Sequence, residues 1–101
     1  MPDLNIRVSA AIPNELLRSI DELARLRKVS RSMLLSECVK LGARELRIRF
    51  AVEQYQRGFM SVGRASEIAE VGLAEFLEEM KKRGVSVRHN LDSLIKGQDE
   101  G

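Results

Sequence analysis

The sequence predicts a mostly α-helical protein that dimerises through one short strand from each chain. Two observations support this fold class. Residues 4–12 place an apolar side chain at every second position, which is the period of a half-buried β-strand. From Asn14 onward, the apolar residues instead recur with the period of an amphipathic helix. Because a lone strand leaves its backbone N–H and C=O groups unpaired, we expect it to pair with the same strand of a second copy across a two-fold axis.

Helices follow the predicted strand almost without interruption. Pro13 suits the first position of a helix, where its missing N–H is not needed. The predicted helices run from Asn14 to Arg27, from Arg31 with Ser30 as its cap, from a cap at Ser61 to Glu70, and from Leu73 to Arg83. Turns are expected at Lys28–Val29, Gly58, Val71–Gly72 and Gly84. The apolar period continues beyond Arg47, so the second helix either continues towards Arg57 or breaks near Arg47.

The charge of the chain is unevenly distributed. Residues 1–50 carry ten Lys and Arg against six Asp and Glu, whereas residues 51–101 carry seven against nine. A basic first half and an acidic second half indicate two roles, of which the first is binding of a polyanion. We therefore predict a DNA-binding and dimerisation domain (1–46), a helical partner-binding domain (47–95) and a frayed tail (96–101).

The outward face of the predicted strand favours DNA. It carries Arg7 and Ser9, and a two-stranded ribbon with a basic, hydroxyl-bearing face fits the major groove. The order of strand, proline, helix, serine-containing turn and helix resembles the ribbon–helix–helix family of DNA-binding dimers (the MetJ/Arc class). The matching residues are Arg7–Pro13, Leu16, Leu17, Ile20, Val29–Ser32, Leu34 and Leu35. The resemblance implies a ribbon–helix–helix dimer in which Arg7, Ser9 and Ala11 contact base edges of an operator.

The same resemblance implies a phosphate contact at the start of the second helix. Ser30, Arg31 and Ser32 lie there, where free backbone N–H groups and the positive end of the helix favour an anion. In the alternative interpretation, Ser30 is only a helix cap and Arg31 is only solvated.

A second resemblance covers residues 47–95. Phe59–Ala69, Glu75–Leu77 and Arg83–Val85 are similar to a small, poorly characterised prokaryotic family with the pattern G-(K/R)-A-A-E-(L/I)-A, followed by E-F-L and R-G-(I/V). Members of that family resemble antitoxins and are often paired with PIN-type ribonuclease toxins. The resemblance implies that this chain is the antitoxin of a type II toxin–antitoxin pair.

Residues 61–82 also have the lengths of a helix–turn–helix unit. Its expected core positions are Ala65, Ala69 and Phe76. The second helix of this unit exposes Glu75, Glu78 and Glu79, which DNA phosphates would repel. We therefore predict a unit that has the helix–turn–helix shape but binds a protein through these carboxylates, since an acidic face suits a basic nuclease.

No enzyme chemistry is predicted. His89 is the single histidine, and with Asp92 as its only nearby carboxylate it makes a weak metal site. Cys38 is the single cysteine, which excludes an internal disulfide, and we expect it to be a small core residue. We expect no catalytic residue, no metal, no cofactor and no membrane span, and a cytoplasmic location.

Together these observations predict a homodimeric or larger DNA-binding repressor that acts as an antitoxin, with operator DNA and a protein toxin as partners. Two alternatives stay open. One is a stand-alone dimeric transcriptional regulator whose second half only extends the dimer. The other is a protein–protein scaffold with no DNA role, in which Arg7 is merely solvated.

Overall fold

The computed structural model describes residues 5–87, which contain four α-helices. These are α1 (Asn14–Arg27), α2 (Arg31–Gln56), α3 (Val62–Ala69) and α4 (Leu73–Lys82). The chain divides into two compact units, and the division lies inside α2, between Cys38 and Val39. We call residues 5–38 the N-terminal unit and residues 39–87 the C-terminal unit. The domain boundary predicted from the sequence lies between residues 46 and 47.

The predicted N-terminal strand is wrong. Residues 5–13 have no regular secondary structure, and the side chains of Ile6 and Val8 are 82% and 87% exposed. A strand is stable only where a neighbouring strand pairs with its backbone, and no strand exists anywhere in residues 5–87. The ribbon–helix–helix fold is therefore contradicted, although the predominance of helix is as predicted. Leu4 and the predicted frayed tail (96–101) lie outside the described residues.

All four helices end in the same hydrogen-bonded turn. In each, the residue in the left-handed conformation donates its N–H to a carbonyl three residues back, and the next residue donates to a carbonyl five residues back. This pattern is the Schellman motif. The left-handed residues and their φ angles are Lys28 (61°), Gly58 (79°), Glu70 (61°) and Gly84 (75°). Such turns favour glycine, and Gly58 and Gly84 occupy two of the four positions. This is why the sequence predicts the ends of those two helices to within a residue or two.

The second helix continues past Arg47 as one unbroken helix to Gln56, which answers the question that the sequence left open. The hydroxyl of Ser30 accepts the Met33 N–H at 3.0 Å, as expected of the predicted cap. Ser61 caps α3 in the same way, because its Oγ accepts the Arg64 N–H at 3.1 Å. Cys38 is exposed, so its predicted place in the core is wrong.

The C-terminal unit contains the larger hydrophobic core. Its buried residues are Ile48, Ala51, Val52 and Tyr55 from α2, Ala65 and Ala69 from α3, and Phe76 and Met80 from α4. The core of the N-terminal unit consists of Ile20, Ala24 and Leu34. The expected core positions Ala65, Ala69 and Phe76 are each 0% exposed, so they are confirmed.

Candidate functional site

The three predicted base-contacting residues lie in the irregular segment before α1. Arg7, Ser9 and Ala11 are all exposed. In a strand, every second side chain projects to the same side, but an irregular segment does not impose this order. The strand that would place these three side chains on one face is therefore absent from residues 5–13. Their contact with DNA stays a prediction.

The predicted phosphate-binding residues take part in contacts within the N-terminal unit. Arg31 donates from Nε and Nη2 to the two carboxylate oxygens of Asp21, each at 2.8 Å. The hydrogen bond from Arg31 lowers the pKa of Asp21, and the same bond raises the pKa of Arg31. This planar pair joins α1 to the start of α2. A phosphate at this helix start would compete with Asp21 for the Arg31 guanidinium.

Two of the three carboxylates on α4 are engaged by arginines of the same unit. Arg44 pairs with Glu75, and its Nη2 lies 3.6 Å from Glu79. Glu79 also accepts from Arg83 at 3.1 Å and is only 15% exposed. Glu78 is exposed and forms no ion pair with any residue between 5 and 87. The predicted acidic partner surface is thus reduced to one unpaired carboxylate, and its role in partner binding is untested.

The C-terminal unit contains a two-bonded ion pair that was not predicted from the sequence. Arg83 donates to both carboxylate oxygens of Glu45, at 2.8 and 2.9 Å, and also to Glu79. The hydrogen bonds from Arg83 lower the pKa of Glu45 from its usual 4.5 to about 2. Residues 45 and 83 are 38 positions apart, so no local periodicity brings them together. We call Glu45, Glu79 and Arg83 the Arg83 cluster.

The helices α3 and α4 pack against each other, with the three residues Glu70–Gly72 between them. The length of each helix and of the turn agrees with a helix–turn–helix unit. On α4, Phe76 and Met80 face the core. Positions i, i+4 and i+7 of a helix share one face, and Ala74, Glu78 and Lys81 form such an outward line on α4, with each residue exposed.

A groove of about 400 Å³ lies beside the Arg83 cluster. It is lined by Arg49, Val52, Glu53, Gln56, Arg83 and Val85. Both signs of charge and two valines contribute to its wall, so the lining does not select one class of ligand. Within residues 5–87, no group of His, Cys, Asp or Glu could hold a metal ion, and no helix is long and apolar enough to cross a membrane. His89 and Asp92 lie outside the described residues.

Comparison with known proteins identifies the family of this chain. Residues 5–96 match the family described as "Uncharacterised protein family (UPF0175)". The chain belongs to the UPF0175 family. The match covers both units, so they are parts of one family fold rather than a fusion of two unrelated families. The predicted similarity to a small, poorly characterised prokaryotic family is confirmed by this membership. The matches give no support to the ribbon–helix–helix resemblance.

Three archaeal UPF0175 proteins illustrate the relationship. A relative from Archaeoglobus fulgidus is 38% identical over 55 residues, which cover 54% of this chain and 63% of the relative. One from Halobacterium salinarum is 46% identical over 41 residues, which cover 41% of this chain and 42% of the relative. One from Aeropyrum pernix is 40% identical over 53 residues, which cover 52% of this chain and 67% of the relative. The chain thus spans between 42% and 67% of the length of these relatives. No solved structure gives a significant match.

Proposed function

We propose that this UPF0175 protein is a DNA-binding transcriptional repressor that acts as the antitoxin of a type II toxin–antitoxin pair. The observation that supports DNA binding best is the packed pair of α3 and α4, with an exposed line of side chains on α4. In a helix–turn–helix unit, the second helix lies in the major groove and its outward residues contact base edges. The DNA contact is therefore assigned to α4 and not to residues 5–13.

The ion pairs of the C-terminal unit remove most of the electrostatic objection to this assignment. Three unpaired carboxylates on α4 would repel phosphates. Because Glu75 pairs with Arg44 and Glu79 pairs with Arg83, only Glu78 is left unpaired on α4. A single glutamate in the groove can accept a hydrogen bond from cytosine N4. Lys81 follows it on the same face and can contact a phosphate.

Fluorescence anisotropy with the full chain tests the DNA assignment. The probe is a duplex from upstream of the protein's own gene, compared with a scrambled duplex across a salt series. We expect Lys81→Ala to weaken binding of both duplexes and to reduce the salt slope by about 1, as the loss of one phosphate contact does. Glu78→Gln should instead alter the preference between the two duplexes.

The matched variant for this experiment is Arg7→Ala, which removes a cation from the segment of the predicted ribbon. If Arg7→Ala abolishes the preference while Lys81→Ala has no effect, the DNA contact lies before α1 and the assignment to α4 is wrong. If the wild-type chain binds neither duplex, the DNA role fails altogether and the scaffold alternative takes its place.

The resemblance of residues 47–95 to a small prokaryotic family of antitoxin-like proteins suggests the second half of the proposal. Large exposed apolar side chains on both units give it physical support, since a monomeric protein rarely exposes many of them together. Co-expression with the product of the neighbouring gene is the test. We expect that product, a PIN-type ribonuclease, to stop growth when expressed alone and to be neutralised by this chain. Lys81→Ala should still neutralise it, because the proposal separates DNA binding from toxin binding.

Self-association is part of the same proposal. The N-terminal unit buries only Ile20, Ala24 and Leu34, and units of fewer than about 40 residues usually need a disulfide, a metal or another chain for stability. Leu16 and Leu23 of α1 remain exposed and would be covered in a homodimer. Sedimentation equilibrium should show a dimer that Leu23→Glu dissociates, and a monomeric wild-type chain would contradict this part.

A further inference from the structure

An unpartnered apolar stripe runs along α2 in the C-terminal unit. Val39, Ala43, Leu46 and Phe50 are spaced by four, three and four residues, so they lie in one line on the helix. Val39, Leu46 and Phe50 are 68%, 58% and 51% exposed. We call these four residues the α2 stripe.

The opposite side of the same helix is already buried. Ile48 and Tyr55 are each 1% exposed and pack in the core with α3 and α4. A surface helix is normally apolar on its core side and polar on the other, whereas a helix that is apolar on both sides is normally covered on both. The α2 stripe therefore has the composition of a contact surface that nothing in residues 5–87 covers.

Small residues shape this surface. Ala43 lies between Val39 and Leu46 in the stripe, and Gly42 lies beside it. A Cβ added at Gly42 would meet no atom within 4 Å, so packing inside this chain does not require glycine there. Neither Gly42 nor Ala43 has a side chain beyond Cβ, so this part of the stripe presents little bulk to an approaching partner helix.

The charges along the stripe indicate which partner it fits. Lys40, Arg47 and Arg49 border it, and Lys40 has no ion pair with any residue from 5 to 87. Arg47 lies 3.5 Å from Glu70 and Arg49 lies 3.4 Å from Glu45, which are long for charge-assisted hydrogen bonds. The border therefore has one unpaired cation, Lys40, and two arginines whose ion pairs are long.

We propose that the α2 stripe binds a helix of a partner protein whose apolar face is bordered by aspartates and glutamates. Charge complementarity selects this occupant, since like charges across an interface disfavour a partner. A second copy would bring Lys40, Arg47 and Arg49 of both chains to one seam. The stripe is also one side chain wide and has alanine in its middle, whereas helices that bind lipid surfaces present large Trp, Phe or Leu faces. The inference rests on the proposed antitoxin function, in which the partner helix belongs to the toxin.

Two synthetic helical peptides with the same leucine face, one flanked by glutamates and one by lysines, test the proposal on the full chain. We expect the glutamate peptide to bind at least about tenfold more tightly, with an advantage that decreases as salt is raised. Leu46→Asp should remove this binding because it places a charge in the centre of the apolar seam. Leu41→Asp is the matched control: Leu41 is 61% exposed on the same helix but lies off the stripe.

Several outcomes would overturn the proposal. Equal binding of the two peptides would remove the argument from charge, and binding of neither would remove the site. If Leu46→Asp converts a wild-type dimer to a monomer, a second copy covers the stripe. If vesicles of equal phosphatidylcholine and phosphatidylglycerol retain the wild-type chain but not Leu46→Asp, the occupant is a lipid surface. Neutralisation of the neighbouring gene's product by the wild-type chain and by Leu46→Asp is a separate readout. If both neutralise it, the antitoxin function holds and only the assignment of the α2 stripe fails.

Discussion

The two units of this protein differ in how they bury their apolar side chains. The C-terminal unit packs eight buried residues from three helices around Tyr55 and Phe76. The N-terminal unit buries three, while its exposed side chains include leucines on α1 and a methionine at the start of α2. A core of three residues gives little hydrophobic stabilisation, so the C-terminal unit should determine the stability of the isolated chain. The self-association proposed above would add buried apolar surface to the N-terminal unit.

Both units also contain an arginine that holds a carboxylate with two hydrogen bonds, but in different surroundings. The side chains of Arg31 and Asp21 are 56% and 42% exposed, whereas those of Arg83 and Glu45 are 25% and 42% exposed, so the difference lies in the arginine. Solvent weakens exposed ion pairs, and partial burial strengthens them. The same chemistry should therefore contribute more to the C-terminal unit.

The largest expected effect is in the core of the C-terminal unit. Phe76 is 0% exposed, so Phe76→Ala should lower the free energy of unfolding by about 3–5 kcal/mol. In the N-terminal unit, Leu34→Ala should cost about 2 kcal/mol, at the low end for leucine, because so small a core can collapse around the cavity. Urea denaturation followed by circular dichroism measures the first effect. Hydrogen exchange of the α1 amides measures the second.

This pair of substitutions can contradict the comparison directly. If Leu34→Ala lowers the main unfolding midpoint as much as Phe76→Ala does, the three-residue core supports the whole chain. The two units would then have equal weight in stability.

The sequence predicted the helices well because their determinants are local. Ser30 and Ser61 cap helices, and Gly58 and Gly84 stop them, through contacts within a few residues. The ribbon could not be predicted in this way. Alternation in residues 4–12 specifies which side chains share a face, but the existence of a strand depends on a pairing partner that alternation does not encode.

The candidate site was predictable in part for the same reason. The lengths of α3 and α4 and their core positions follow from periodicity, so both helices and the turn between them were predicted from the sequence. Whether a charge is free depends on residues far away in the chain. Arg83 lies four positions after Glu79, so helical spacing allows that pair, but Arg44 reaches Glu75 across 31 positions and Arg83 reaches Glu45 across 38, and only the folded structure shows these two contacts.

Replacement of the two arginines should sharpen the comparison. Arg83→Met keeps the aliphatic bulk but removes the hydrogen bonds to Glu45 and Glu79, which should cost about 1–3 kcal/mol as hydrogen bonds to charged groups are lost. Arg31→Met should change the free energy of unfolding much less, because its pair with Asp21 is exposed. Chemical denaturation of both variants provides the measurement. A larger loss for Arg31→Met would mean that the exposed pair is the more important one.

The dependence of stability on pH should report the Arg83 cluster. The pKa of Glu45 is lowered to about 2 in the folded chain, chiefly by its hydrogen bonds with Arg83. Because the folded pKa lies below the unfolded one, the stabilisation is complete above about pH 4.5 and is lost as the pH falls towards 2. Wild-type stability should therefore decrease more steeply over this range than that of Glu45→Gln. Parallel pH profiles would show that the Glu45 contact does not contribute.

The smallest expected effect compares the two helix ends that lack glycine. Lys28 and Glu70 both have φ 61°, where a side chain is strained and glycine is not. Glu70→Gly should raise the free energy of unfolding by about 1 kcal/mol, since the 3.5 Å contact of Glu70 with Arg47 is exposed and contributes little. Lys28→Gly relieves the same strain in the N-terminal unit. It should slow hydrogen exchange of the α1 amides and leave the main urea midpoint unchanged, because that midpoint reports the C-terminal core. Equal increases in the midpoint for both variants would show that the units unfold together despite their unequal cores.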